Sequence, residues 1–218
     1  MTSKSSGKKM AESVLPDEFT YLENREIYEA VVLGGVARAR RSIDIATANV
    51  KDMHVESGRR FVSIVAILDQ LCRKGVRIRL LHSGRPSGPF RQALNDSRLL
   101  DRPTFEMKRC VRVHFKAVVI DGRDVYLGSA NLSGAGIGAK GEHRRNFEIG
   151  FLTSDDFIRR RVAALFDEIW EGKHCPKCGR RRECVQAEIA SKSEQQKSRC
   201  GSHNIHSGFS FDGRGERI

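Results

Sequence analysis

The sequence lacks several features that would assign it to a broad class of proteins. No apolar run approaches the ~18 residues of a membrane span, and residues 1–30 lack the hydrophobic core of a secretory signal. The chain also has no Walker or dinucleotide-binding glycine pattern. We therefore expect a cytoplasmic protein without a transmembrane segment.

Acidic residues are in the minority, and this imbalance points to a partner. The 218 residues carry a formal net charge of +12, with 39% apolar and 30% charged residues. This composition predicts a soluble globular domain of ordinary size with tails. The excess of positive charge favours a polyanionic partner. Aromatic residues make up only 7% of the chain, so backbone contact is expected to outweigh extensive base stacking.

The strongest motif lies in residues 113–131, VHFKAVVIDGRDVYLGSAN. Its fixed positions have the spacing H-x-K-x4-D-x6-G-S-x-N and are His114, Lys116, Asp121, Gly128, Ser129 and Asn131.

The spacing predicts that several polar groups meet at one place. Residues 113–120 are apolar apart from His114 and Lys116, which is typical of a buried strand whose alternate side chains share a face. Asp121 and Gly122 predict a turn, and a second strand over 125–127 leads to the remaining polar positions. An imidazole, an ammonium, a hydroxyl and an amide together suit a phosphate, because they supply a nucleophile or proton shuttle beside hydrogen-bond donors.

The motif resembles the HKD motif of the phospholipase D superfamily, and the resemblance covers roughly residues 24–171. It implies an α/β fold with a mixed, mostly parallel β-sheet sandwiched by helices. It also implies a phosphodiesterase that acts through a covalent phosphohistidine, with no cofactor for catalysis.

The resemblance also implies a role for each matching residue. His114 would be the nucleophile, and Lys116 and Asn131 would bind the phosphate. Ser129 would line the site. Asp121 also belongs to the motif, although in this family it is more often structural than in contact with substrate.

Two further features follow from the resemblance. The later stretch NFEIG contains Glu148, which would hold the other ring nitrogen of the histidine. Family members commonly carry two HKD motifs, whereas this chain has a single H-x-K sequence. A complete site therefore implies a homodimer, as in the small dimeric nucleases of the superfamily.

The periodicity of the remaining chain predicts an alternation of helices and strands. Residues 61–74 and 76–82 form, with the strand before them, a β-α-β pattern that indicates a parallel pair of strands. The polar segment 51–60 is expected to be a loop at the rim of the site. We predict helices over 23–41, 61–74, 90–100 and 154–171, and strands over 42–50, 76–82, 104–108, 113–120, 125–127 and 146–153.

The segment after Asn131 is rich in glycine and then basic. We expect a flexible rim loop in which Lys140, Arg144 and Arg145 bind substrate. His143, among these arginines, is either a substrate contact, an idle residue or a second proton carrier.

The composition changes again after residue 172. Cys175, Cys178 and Cys184, with Cys200 as the fourth ligand, predict a structural zinc site. His203 could replace Cys200, an iron–sulfur cluster is an alternative, and so are free thiols. The expected organisation is a flexible basic arm over 1–18, a catalytic domain over 19–172, a Cys/His-rich extension over 173–206 and a disordered tail over 207–218.

Three functions remain open at this point. The leading hypothesis is a dimeric nuclease that cleaves DNA or RNA. The same motif also serves lipid phosphodiesterases and phosphatidyltransferases, and a basic surface can bind anionic lipid. The third hypothesis is a non-catalytic, zinc-tailed DNA-binding protein, against which the intact His114 and Lys116 argue.

Overall fold

A computed structural model describes residues 19–184, and the arm over 1–18 and the tail over 207–218 lie outside the described residues. A seven-stranded sheet is the centre of the fold, with the strand order β1-β9-β8-β7-β2-β5-β6, and β3 and β4 form a separate two-stranded sheet. The strands are β1 Phe19–Glu23, β2 Ser42–Thr47, β3 His54–Ser57, β4 Arg60–Ser63, β5 Arg77–His82, β6 Phe105–Arg109, β7 Lys116–Ile120, β8 Asp124–Gly128 and β9 Ile149–Thr153.

The helices begin where the sequence provides caps for them. The side chains of Ser63, Ser87 and Asp155 each accept a backbone N–H from the first turn of the helix that follows. The α-helices are α1 Arg25–Ile27, α2 Ile64–Arg73, α3 Gly88–Ser97 and α4 Asp156–Trp170. A π-helix spans Tyr28–Leu33, and 3-10 helices span Val36–Arg38, Leu99–Asp101 and Glu142–Arg144.

The mixed sheet is confirmed, but the expectation that it is mostly parallel is wrong. The pairs β2–β5 and β5–β6 are parallel, and the four other pairs of the large sheet are antiparallel. The β-α-β pattern correctly indicated the β2–β5 pair. The tight turn after β7 makes β8 return antiparallel, because parallel neighbours need a long crossover.

Helices cover both faces of the sheet through two hydrophobic clusters. Along the central strands β2, β5, β7 and β8, alternate residues enter one cluster or the other, as the pleat requires. Ile45 and Val118 belong to the larger cluster, which contains α2 and α3 residues. Ala46 and Ala117, the next residues along the same strands, pack with Phe166 of α4 in the smaller cluster.

Two expected elements differ from the structure. The helix expected over 23–41 is divided into α1, the π-helix and a 3-10 helix, with Gly34 and Gly35 between the last two. The loop expected over 51–60 contains most of a β-hairpin, in which His54 pairs with Ser63 and Ser57 with Arg60. The inner face of this hairpin has only Val55 and Val62 as apolar residues, and a hairpin with one short buried face is difficult to distinguish from a loop.

The chain divides into two units between Cys178 and Gly179. Residues 19–178 therefore belong to one unit. Within residues 19–184, none of the helices combines the length and the apolar character that a membrane crossing requires.

Candidate active site

The motif residues lie at the edge of the sheet where β7 begins. His114 and Lys116 are two residues apart at this amino end, His114 exposed and Lys116 half-buried. The Lys116 ammonium donates a hydrogen bond of 2.8 Å to the backbone oxygen of His114. This bond leaves the ammonium two further hydrogens, and its charge lies beside the backbone of the histidine.

The chain crosses this same edge after β8. The backbone N–H of Ser129 donates to Ile149 on the β9 side, at 3.0 Å. Three residues later Leu132 bridges to Val50, beyond the end of β2. Because β7 lies between β8 and β2 in the sheet, the segment from Ser129 to Leu132 passes the amino end of β7. The fold thereby brings His114, Lys116, Ser129 and Asn131 to one edge.

The Asn131 side chain is fixed from the β2 side. Its oxygen accepts the backbone N–H of Asn49 at 3.0 Å and lies 3.3 Å from the Thr47 hydroxyl. The same hydroxyl accepts the backbone N–H of Leu132 at 3.1 Å. Because the amide oxygen is occupied, the Asn131 NH2 group is the part of the side chain that can donate to a substrate.

Glu148 has different partners from the expected one. Its carboxylate accepts a short hydrogen bond from the Ser129 hydroxyl and a 3.0 Å bond from the Asn146 amide. Within residues 19–184 the His114 ring makes no hydrogen bond with Glu148 or any other group, which does not support the expectation that Glu148 holds the histidine. Glu148 instead fixes Ser129, the residue at which the chain turns across the edge.

Asp121 lies at the far end of β7 from Lys116. Its carboxylate accepts the backbone N–H groups of Arg40, Arg41 and Ser42 at 2.7–3.1 Å. Burial acts to raise the pKa of Asp121, but these backbone hydrogen bonds outweigh it and the pKa is lowered. The structure therefore does not bring Asp121 to the other motif residues. It gives Asp121 a structural role, joining the β7–β8 turn to the start of β2.

The motif glycine has a packing role. Gly128 and Gly150 face each other on β8 and β9, and the ring of Tyr126 lies over both. A Cβ at Gly128 would lie 2.3 Å from the Tyr126 hydroxyl oxygen, and one at Gly150 would lie 2.4 Å from a ring carbon. Burial, with the charge of Glu148 as a smaller cause, raises the pKa of Tyr126 to about 12. The tyrosine is therefore a neutral packing residue beneath the edge.

The basic loop is more ordered than its glycines suggest. Lys140 donates its backbone N–H to Gly134 at 2.9 Å, and Asn146 donates to Ala135 at 3.0 Å. The loop thus folds back on itself before it returns to β9. Lys140 and Arg144 are exposed and Arg145 is half-buried, at the rim between Asn131 and Glu148.

The structure describes only part of the predicted metal site. Cys175 and Cys178 lie in a turn after α4, and the Cys178 N–H donates to the Cys175 oxygen at 3.2 Å. Cys184 belongs to the second unit, and Cys200, His203 and His206 lie outside the described residues. Within residues 19–184, no three His, Cys, Asp or Glu side chains are grouped closely enough to hold a metal ion. The zinc site stays a prediction.

Sequence reasoning missed the residues that orient the motif. Thr47 and Asn49 hold Asn131, and Asn146 holds Glu148. A local signal existed for the first pair, because polar residues two apart at the end of an apolar strand are typical of a functional edge. Their partner is more than 80 residues away, so the sequence alone could not assign it.

Comparisons with known proteins agree with this geometry. The family model described as "Cardiolipin synthase, PLD-like domain" matches residues 34–170, more than half of the chain. NucT from Helicobacter pylori is similar in structure, with a TM-score of 0.52, 18% sequence identity, and coverage of 71% of this chain and 97% of that chain. Nuc from Salmonella typhimurium, a phospholipase D family member, has a TM-score of 0.50 and 15% identity and covers 71% of this chain and 95% of its own. At these identities the likeness concerns the fold. No curated protein matches the chain significantly.

Proposed function

The chain belongs to the phospholipase D-like domain family, because the family model matches residues 34–170. This family is of the phosphodiesterase type. We propose that the chain is a metal-independent endonuclease. The observation that carries the proposal is the convergence of His114, Lys116 and a pre-oriented Asn131 at one sheet edge. The loop that joins Asn131 to Glu148 carries exposed Lys140 and Arg144 in a chain of net charge +12.

The proposed reaction has two steps. A ring nitrogen of His114 attacks phosphorus, a P–N bond forms, and the P–O bond to the leaving strand breaks as that oxygen takes a proton. Water then attacks the phosphohistidine, the P–N bond breaks, and His114 is released. Lys116 and the Asn131 NH2 group donate to the non-bridging oxygens, whose negative charge is concentrated in each transition state.

The proton for the leaving oxygen is the reason to propose a homodimer. While His114 acts as the nucleophile it cannot also protonate the leaving group, and the sequence contains a single H-x-K motif. We propose that a second copy supplies its His114 as the acid in the first step. Having given up its proton, the same histidine accepts a proton from the attacking water in the second step. A two-fold axis would place both histidines against one phosphate.

An apolar strip beside the site is the proposed contact between the copies. The helix α4 packs on one face of the sheet but does not cover β1 and β9 there. The side chains on this uncovered part of the face are Tyr21, Ile149 and Phe151, which are 45%, 54% and 39% exposed. The Tyr21 and Phe151 rings pack edge to face with centroids 5.8 Å apart. These three residues, here called the β1–β9 strip, are uncharged, so two chains of charge +12 can approach there with little repulsion.

Charge favours nucleic acid as the substrate. The groups at the sheet edge recognise a phosphodiester and do not by themselves distinguish DNA, RNA or lipid. A polyphosphate bound at Lys140, Arg144 and Arg145 would release its counterions, which raises the affinity of the chain for nucleic acid. The description of the matching family model names cardiolipin synthase. An anionic phospholipid is therefore the alternative substrate, and it must be tested beside nucleic acid.

The test is a substrate panel in the presence of EDTA. The wild-type chain is incubated at low salt with labelled single- and double-stranded DNA, RNA and vesicles containing anionic phospholipid. We expect cleavage of nucleic acid and no release of lipid headgroup. His174→Ala serves as the matched control for His114→Ala, because His174 is also exposed but pairs with Glu168. Ready lipid cleavage with every nucleic acid intact would reject the proposal.

We also propose a structural zinc ion for the C-terminal extension, held by Cys175, Cys178, Cys184 and Cys200. Thiolates at such spacing suit tetrahedral zinc. The ion would stabilise the extension and take no part in the reaction.

A further inference from the structure

The β3–β4 hairpin is a surface element that the proposed reaction does not use. Its inner face is fixed to the core: Val55 is fully buried, Val62 packs against the larger cluster, and the N–H of Glu56 donates to the Tyr28 hydroxyl at 2.8 Å. Because the inner face is held against the core, the outer face of the hairpin has a fixed orientation relative to the rest of the domain.

The outer face presents an aromatic ring, and positive charge lies next to it at the tip of the hairpin. Phe61 is 67% exposed, and nothing in the packing of the hairpin requires an aromatic residue at this position. His54 and Glu56 lie on the same outer face, and Arg59 and Arg60 are exposed at the tip. Burial of the exposed Phe61 ring against a ligand would contribute favourable hydrophobic free energy to binding.

The base of the hairpin connects directly to the candidate active site. Asn49, which holds Asn131, precedes the hairpin by five residues. Between them, Lys51 donates its N–H to Leu132 at 2.9 Å. Met53 lies next to Gly134, with its Cβ 3.4 Å from where a glycine Cβ would be. A four-residue strand extends ~13 Å, so the tip of the hairpin lies about that far from the base that contacts the Asn131 segment.

We propose that this face is a binding site for an unstacked base of the substrate, with Phe61 as the stacking surface. The inference rests on the proposed nuclease function and extends it to single-stranded regions of nucleic acid, because a paired base stacked inside a duplex cannot present its ring to Phe61. Arg59 and Arg60 bind the adjacent phosphates. Glu56, directly opposite Phe61, repels a phosphate and can accept hydrogen bonds from the amino groups of a base.

Alternative occupants have less support from the same residues. An acyl chain would need a groove, and the outer face offers one ring opposite a carboxylate, with the arginines at the tip of the hairpin. A second copy of the chain, also of net charge +12, would meet the exposed Arg59 and Arg60 at close range. An anionic ligand with an aromatic part fits both the Phe61 ring and the basic tip.

The test compares oligonucleotides with and without bases. Fluorescence anisotropy is measured in a His114→Ala background with a single-stranded 12-mer and with an abasic 12-mer of the same length. Phe61→Ala should weaken binding of the base-containing strand about tenfold, the loss of one stacked base, and leave the abasic strand unaffected. Phe61→Trp should keep the affinity. Phe157→Ala is the matched control, since Phe157 is 63% exposed on α4.

Three results would overturn the inference. The first is an equal effect of Phe61→Ala on both strands, and the second is no effect on either. The third is an effect of Phe157→Ala as large as that of Phe61→Ala. Turnover of bis(4-nitrophenyl) phosphate by Phe61→Ala with His114 intact monitors the fold and the site, and should equal that of the wild type. Failure of the proposed function gives a different result, in which the wild type itself binds and cleaves no nucleic acid at low salt.

Discussion

The side-chain oxygen of Asn131 accepts a 3.0 Å hydrogen bond from the backbone N–H of Asn49. A backbone N–H can only donate, so it selects the orientation in which the amide oxygen faces β2 and the NH2 group faces away. The residue is therefore set as a donor before any substrate arrives, and no reorientation is needed during the reaction.

Asn131→Asp should abolish most activity while keeping the fold. The aspartate retains the oxygen that Asn49 binds but replaces the NH2 group with a second negative oxygen, which repels the phosphate. We expect a decrease in kcat of about 10²- to 10³-fold, as for loss of one transition-state donor, with little change in Tm. Asn95→Asp, on the exposed face of α3, is the control. A variant that keeps wild-type kcat would show that Asn131 does not donate to the phosphate.

Asp121→Asn should lower stability more than activity. The amide can accept fewer of the three backbone N–H groups that the carboxylate binds, and it brings its own hydrogens towards them. We expect a loss of about 1–3 kcal/mol in the free energy of unfolding, measured by urea titration. Asp124→Asn, four residues from the β7 terminus and only loosely paired with Arg123 at 3.8 Å, should change it much less.

The effect of Asp121 should also depend on pH. Its folded-state pKa is lowered, so the carboxylate contributes stability above the ordinary pKa of the unfolded chain and loses that contribution as the pH falls through the folded pKa. The difference in unfolding free energy between wild type and Asp121→Asn should therefore be largest near neutral pH and shrink in acid. A difference that grows with acidity would contradict this sign.

Charged substitutions in the β1–β9 strip should separate the copies. Phe151→Glu and Tyr21→Glu place a carboxylate in the proposed contact, which desolvation disfavours strongly. Sedimentation velocity should show monomers, with activity reduced at least tenfold. Leu100→Glu, at a residue of 44% exposure away from the strip, should leave both unchanged. A wild-type chain that is monomeric and fully active would reject the dimer itself.

Catalysis and metal binding should be separable. Brief EDTA treatment should leave nuclease activity intact, whereas metal analysis of reduced protein should find about one zinc per chain. Cys175→Ser should lower the zinc content and expose the extension to proteolysis with little change in kcat. Protein without any bound metal, prepared under reducing conditions, would remove the zinc proposal.

The sequence predicted the centre of the fold better than its periphery. The motif spacing predicted a strand over 113–120 that carries His114 and Lys116, because strand alternation is a local property. The structure has β7 at Lys116–Ile120, with His114 two residues before its start. The direction of most strand pairs could not be read in this way. The strand after β7 was visible, but the pairing of β2 with β7 depends on contacts between residues 43–46 and 117–120, which no local pattern records.

Partners of side chains were the least predictable part of the site. Glu148 was expected to hold the histidine, but its hydrogen bonds go to Ser129 and Asn146. The Asn146 amide, two residues before Glu148, competes with the histidine for the carboxylate oxygens. The family resemblance gave no information about these nearby donors. The β3–β4 hairpin was missed because its buried face has only two apolar residues, Val55 and Val62.

The most direct test of the central claim is to trap the proposed covalent intermediate. Wild-type chain in excess is mixed with end-labelled single-stranded DNA in EDTA, quenched with denaturant after a fraction of a turnover, and resolved on a denaturing gel. The account predicts that label migrates with the protein, is released by mild acid as expected for a P–N bond, and is absent from His114→Ala. The same labelled band in His114→Ala, or cleavage by that variant at the wild-type rate, would contradict it.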